Sequence, residues 1–248
     1  MESANAFISI DFWNTIVNAH TNGEKRARRR VEALHKLAGS FGKDITAADV
    51  KQAHAHASAR FDEIWLGQSR TPGSYELVGF TLDYLELSVT AQQQRDLAHI
   101  YEESLLDGPP ELAPGVTEAV SKLAQHYKLG IISDTMFSPG RVLKAFLDTH
   151  GLGQHFTAFA FSDEVGVSKP HPKMFEKILH ETGTGTQGSW HIGDIQQTDI
   201  KGAQGFGIKG ILYTGVSDFH KKDTTADLIC ESWEQVCEAV LNPPAVSS

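Results

Sequence analysis

The chain has 248 residues, 40% of them hydrophobic and 21% charged, with a formal net charge of −9. That length holds one large domain or a domain with an insertion, and the acidic balance argues against nucleic acid as the main partner, because phosphate backbones are bound by basic surfaces. No run reaches the ~18 uninterrupted apolar residues a membrane span needs, so a membrane protein is not expected.

The N-terminal stretch has no basic segment followed by an apolar core and a small-residue cleavage site. Cys230 and Cys237 are the only cysteines and have neither a metal-ligand spacing nor the numbers for a disulfide framework. A cytoplasmic protein is expected.

In chain order, Phe7 to Ile10 form a short apolar run ending at Asp11 and followed by Trp13, Asn14 and Thr15. This pattern predicts a buried strand that delivers an acid to a loop. By itself an Asp at a strand end also suits a turn or a helix cap. From Glu24 to about Leu106 the apolar spacing turns helical, through Val31, Leu34, Leu37, Phe61, Ile64, Trp65, Leu77, Phe80, Leu82 and Leu85. Gly and Pro breaks divide it into an expected four helices, with start signals at Thr46, Thr71-Pro72 and Thr90.

After Pro109-Pro110 and Pro114-Gly115 the rhythm becomes alternating helix and short apolar strand. Helices are predicted at Val116 to Tyr127, Arg141 to Thr149, Lys173 to Glu181 and Asp199 to Gly205. Strands are predicted at Leu129 to Ile132, Phe156 to Phe161, Trp190 to Ile192 and Ile208 to Tyr213. That is βαβ rhythm, which implies an α/β fold with a mainly parallel, doubly wound sheet, interrupted after its first strand by an all-helical insertion. The tail beyond Asn242 is expected to fray. Sheets of this kind bind ligands beyond the carboxyl ends of their strands. Asp11, Ser133, Lys169 and Asp194 all follow predicted strands, so they are expected to converge on one edge.

Each has a chemistry. Asp11 can serve as a carboxylate nucleophile if a cation neutralises it and its substrate. Ser133 with Asp134 ends a strand in a hydroxyl and an acid, suited to a phosphate oxygen or, equally, to a helix cap. Lys169 lies in a loop stiffened by Pro170 and Pro172, where it can hold the nucleophile and an anionic group together. Gly193-Asp194 and Asp199 place two hard oxygen donors after a strand and at the start of a helix, suited to Mg²⁺.

Taken together, Asp11 to Thr15, Ser133, the stretch from Val165 to Pro172 around Lys169, and Asp194 with Asp199 resemble, in order, the four motifs of the haloacid dehalogenase superfamily. The resemblance covers nearly the whole chain. It implies a Rossmann-like core of residues 1–17 and 108–248 and a helical cap of residues 18–107 that selects the substrate. It also implies a Mg²⁺-dependent phosphatase acting on a small anionic, phosphorylated metabolite, as a monomer or homodimer. Asp11 would be the nucleophile, with Ser133 and Lys169 as its catalytic partners. Trp13, Asn14, Thr15, Asp134 and Lys169 would touch substrate. The metal would rest on Asp11, the backbone carbonyl of Trp13, Asp194 and Asp199.

One position departs from the pattern. Phosphatases of this superfamily usually carry a second Asp two residues after the nucleophile as general acid, and here that residue is Trp13. Indole cannot do this work, and a positioned acid is worth roughly 10²–10⁴-fold. Dehalogenation or phosphonate cleavage, which do not need that acid, are therefore alternatives, with Lys43 or Lys51 as the lysine a phosphonate-cleaving relative would want. Binding a phosphorylated ligand without turnover is a third.

Other features are read as structural. The basic run Lys25, Arg26, Arg28, Arg29 and Arg30 could face the site and hold an anionic substrate, but a solvated helix face suits it better. Trp65, Phe80, Tyr84 and Tyr101 suit packing within the insertion, with lining of a substrate pocket as the alternative, and His171 and His191, which flank motif residues and could touch substrate, better suit loop or core hydrogen bonding. His54 and His56 splay apart on a helix and make no metal site. Gly205 to Gly210 matches a dinucleotide fingerprint but precedes a strand, so it fails on context.

Overall fold

The structure is a computed structural model and describes residues 5–242, so the expected fraying beyond Asn242 falls outside it. The first strand, β1 (Ala6–Ile10), is buried along its whole length, as a strand inside a parallel sheet must be. A two-residue strand β2 (Val17–Asn18) then leads into four helices, α1 (Gly23–Ser40), α2 (Ala47–Gln68), α3 (Ser74–Tyr84) and α4 (Ala91–Asp107). The chain returns through β3 (Glu111–Leu112), antiparallel to β2. This ribbon is the neck joining the helical insertion to the sheet.

Thr46 and Thr90 start their helices as expected, each closing a capping box in which hydroxyl and N3 side chain satisfy one another's backbone donors. Thr71 does not: Gly73 precedes α3, and the Thr71 hydroxyl instead bonds Ser162 across the chain. The insertion has its own core, with Leu34, Phe61, Leu77, Leu82, Leu97 and Tyr101 buried together.

The rest alternates as predicted: α5 (Val116–Leu123), β4 (Lys128–Ser133), α6 (Gly140–Thr149), β5 (Phe156–Phe161), a short α7 (Ser162–Val165), α8 (Pro172–Thr182), β6 (Gly185–Gly193), α9 (Lys201–Phe206) and β7 (Lys209–Tyr213). Two further elements follow, β8 (Leu228–Cys230) and α10 (Trp233–Leu241), the latter capped by Ser232 and burying Trp233, Val236, Cys237 and Val240 along one face. The sheet is parallel throughout, in the order β5-β4-β1-β6-β7-β8. The strand order turns at β1, with β4 on one side and β6 on the other, and that switch point is where the loops after parallel strands diverge and leave a crevice.

Candidate active site

Three strand ends deliver acids or their partner to this crevice. Asp11 follows β1, Asp134 follows β4 and Asp194 follows β6, while Lys169 arrives on the loop between α7 and α8. Asp11 is 4% exposed and Lys169 3% exposed. The Lys169 ammonium lies 2.5 Å from Asp11 Oδ1 and 2.7 Å from Asp199 Oδ1, and it also donates to the Ile132 carbonyl at 3.2 Å. One buried cation therefore bridges two buried carboxylates, which raises the Lys169 pKa despite burial.

Asp199, expected to support the metal, takes no part in lining the cavity. Its Oδ1 accepts from Lys169 and from His191 Nε2 (2.9 Å), its Oδ2 accepts from the backbone N–H of Ile195 (2.9 Å), and the residue is fully buried. A π turn at Gln196–Ile200 aims it inward against Gly193, where an added Cβ would stand 2.3 Å from the Asp199 carboxyl carbon. Glycine is required there by close approach. These contacts hold Asp199 ionised, well below the usual carboxylate range, so it anchors Lys169. His191 in turn is gripped by Ser9 at 2.8 Å and stays neutral because it is buried. Core hydrogen bonding is the role expected of it.

Asp194 is different. It lines the cavity, and its one side-chain partner is the Asn14 amide at 3.2 Å. Burial, with Asp199 nearby, pushes its pKa up to about 7. Asp11 is also pushed up by burial and by both neighbouring acids, against the pull of Lys169. Three buried carboxylates thus share one ammonium, and that excess of negative charge in a low-dielectric site fits a divalent cation. Among the described residues no group of three or more His, Cys, Asp or Glu side chains forms a ready-made metal cage. The donors left for a hard cation are Asp11 and Asp194, together with the Trp13 backbone, a set that leaves positions for water as Mg²⁺ prefers.

The cavity encloses about 330 Å³, the size of a small-molecule site. Asp11, Trp13, Asn14, Asp134, Lys169 and Asp194 all line it. Two residues expected to touch substrate or assist catalysis lie beneath it. Thr15 is fully buried and its carbonyl accepts from Trp233 Nε1 at 3.1 Å, because the chain has already turned back towards the core at Ile16. Ser133 is fully buried on the last turn of its strand, with only a long 3.5 Å contact from its hydroxyl to the Asp134 carbonyl. Thr198 lines the cavity with a buried hydroxyl that has no protein partner.

Asp134 is more than a wall. Its Oδ1 accepts from the Lys169 backbone N–H and its Oδ2 from Trp65 Nε1, both at 2.9 Å. Trp65 belongs to α2, so its indole crosses from insertion to core and closes the cavity. Ser69 reinforces the seam, its carbonyl accepting from Ser168 N at 2.8 Å. Sequence periodicity identifies Trp65 as a packing residue; its polar edge finds its partner only when the two units meet.

The basic run on α1 also divides. Lys25, Arg28 and Arg29 are exposed, as a solvated face predicts, but Arg26 and Arg30 line the cavity. Arg26 spends its guanidinium on the carbonyls of Ala19, Thr21 and Gly108, the two linkers of the neck. Of the lysines expected to serve phosphonate cleavage, Lys43 bonds the Leu85 carbonyl and Lys51 is exposed. Lys169 is the one lysine lining the cavity among the described residues, which removes the support for that alternative.

The haloacid dehalogenase-like hydrolase family model matches residues 41–213. Phosphoserine phosphatase of Thermus thermophilus is 24% identical over 203 residues, covering 75% of this chain and 73% of that protein. Among solved structures, a 2-haloacid dehalogenase from Pseudomonas syringae superposes with a TM-score of 0.71 at 21% identity, covering 96% of this chain and 98% of that one. The HAD-hydrolase YfnB of Bacillus subtilis, solved bound to magnesium, superposes at 0.65 and 17% identity, covering 95% and 98%.

Proposed function

Because this chain belongs to the haloacid dehalogenase-like hydrolases, we propose that it is a Mg²⁺-dependent phosphatase of a small phosphorylated metabolite, with Asp11 as nucleophile and the helical insertion as the cap that selects substrate. The observation that carries this reading is Asp194, a buried acid with no cation bonded to it, beside an Asp11 held by Lys169, at the floor of the cavity.

The free oxygen of Asp11 attacks phosphorus, forming an aspartyl phosphate as the bond to the leaving oxygen breaks; water then cleaves the acyl phosphate and regenerates the carboxylate. Lys169 orients Asp11 and opposes the burial that disfavours its ionised form, and Asp199 fixes the lysine. Bound at Asp11, Asp194 and the Trp13 carbonyl, Mg²⁺ would neutralise the charge of the transferred group. Asn14 orients Asp194. Trp13 supplies no proton to the leaving oxygen, so the reading calls for slow turnover of ordinary alkyl phosphates and faster turnover of esters with good leaving groups.

The test is phosphate release from a panel of small phosphate esters, with Mg²⁺ and with chelator. Turnover that needs the metal and falls at least 10⁴-fold in Asp11→Asn supports the reading. Metal-independent turnover, or an active Asp11→Asn protein, overturns it.

A further inference from the structure

Arg30 is a cation built into the cavity wall without a counterion. Its Nε donates to the Ser104 hydroxyl at 2.8 Å, and Ser104 is itself fixed to the Tyr101 carbonyl. The guanidinium lies over two ring faces, 4.6 Å from the centre of Phe137 and 5.7 Å from that of Tyr101. The Tyr101 hydroxyl is paired with His54 at 2.7 Å, so that ring is a fixed platform. Among the described residues no carboxylate pairs with Arg30, and neither of its terminal nitrogens has a hydrogen-bond partner. Burial lowers its pKa to about 10, so at neutral pH the charge persists.

A desolvated, unpaired guanidinium is costly. This one is held at its Nε edge and by two neighbouring rings on one side, with the two-nitrogen edge left over, a planar fork that matches an oxyanion bidentately. Arg26, the other arginine on this wall, is already engaged by three carbonyls. The aromatic walls of Trp65 and Phe137 exclude water and so strengthen whatever charge pair forms at Arg30.

We propose that Arg30 is the specificity residue for a second anionic group, so that the substrate is a small phosphomonoester that also carries a carboxylate or a further phosphate. This deepens the phosphatase reading and rests on it. The first anionic group lies over Asp11 and Lys169 on the core side; the second is taken by α1 on the insertion side. The substrate thereby bridges the two units in the closed state.

Glycerol 3-phosphate, 3-phosphoglycerate and 1,3-propanediol bisphosphate form a matched set: one phosphate alone, then with an added carboxylate or an added phosphate. The full chain is assayed for kcat/KM by phosphate release, and Asp11→Asn is titrated with the same three compounds by calorimetry in the presence of Mg²⁺. The inference expects one of the two added-anion compounds to be preferred over glycerol 3-phosphate by about 10- to 100-fold in binding, and which one identifies the group. Arg30→Met should reduce that preference to within about threefold, Arg30→Lys should keep part of it, and Ser104→Ala, which frees the Nε, should weaken it less than Arg30→Met does. No preference in the unsubstituted site, no binding of any of the three, or an equal loss for all three compounds in Arg30→Met overturns the inference. Absence of phosphate release with the binding preference intact would overturn the phosphatase reading alone.

Discussion

The core wall of the cavity and the insertion wall carry opposite charge. On the core side, acids from three strand ends crowd around one lysine, and their contacts run through fully buried side chains fixed by the sheet. On the insertion side, arginines from one helix face the same space with no carboxylate partner among the described residues. On the proposed reading, the core wall handles a phosphoryl group and a metal, and the insertion wall chooses what carries that group. Chemistry and selectivity sit on separately packed units, which meet through Trp65 and the neck.

This division can be broken at its strongest point first. Lys169→Met leaves Asp11 and Asp199 buried without their cation. Activity is expected to fall about 10³-fold or more. Stability should fall as well, in a pH-dependent way. In the native protein Asp199 is held ionised below its unfolded value, a contribution present above the ordinary carboxylate pKa and lost only in acid. Without the lysine both acids shift upward and favour the protonated form, so the stability deficit should be smallest near pH 4 and grow towards pH 8. Thermal melts across that range check it, and a deficit independent of pH would show that Lys169 acts through packing.

A smaller change sharpens the comparison from the other direction. Trp13→Asp places a general acid where the core wall lacks one, and should raise turnover of alkyl phosphates by roughly 10- to 100-fold. No gain in a folded variant would move the reaction away from leaving groups that need a proton. The smallest effect is expected at the seam. Trp65→Phe removes the indole donor to Asp134, worth about 1 kcal/mol as a typical net hydrogen bond. It should raise KM by about tenfold, because the loss is in closing the cavity. A matching fall in kcat with KM unchanged would instead place Trp65 in the chemical step.

Much of the core was legible in the residues. β1 and β4 show as short, largely apolar runs because strands covered on both faces have little polar side to display, and β5 shows through its alternating Phe and Ala. The acids show because each sits where such a run stops. β8 was missed since Leu228–Cys230 is too short for a period, whereas α10 was legible, with Ser232 as cap and Trp233, Val236, Cys237 and Val240 at helical spacing, and was overlooked. In the insertion, helix number and the Thr46 and Thr90 starts were readable from local rules, whereas Thr71 failed because a hydroxyl 91 positions away competed for it.

The sequence by itself determined the fold class, the helical insertion and most of the cavity floor, since these depend on periodicity and on the order of strand ends along the chain. Tertiary structure alone decided three things. Asp199 turned from expected ligand to anchor because Lys169, His191 and Ile195 converge on it from separate elements. Trp65 turned from packing residue to latch because its partner lies on the other unit. Arg26 and Arg30 turned inward from a run that reads as solvated, because which face of an evenly basic helix is buried depends on the neck and on α4, not on the helix's own spacing.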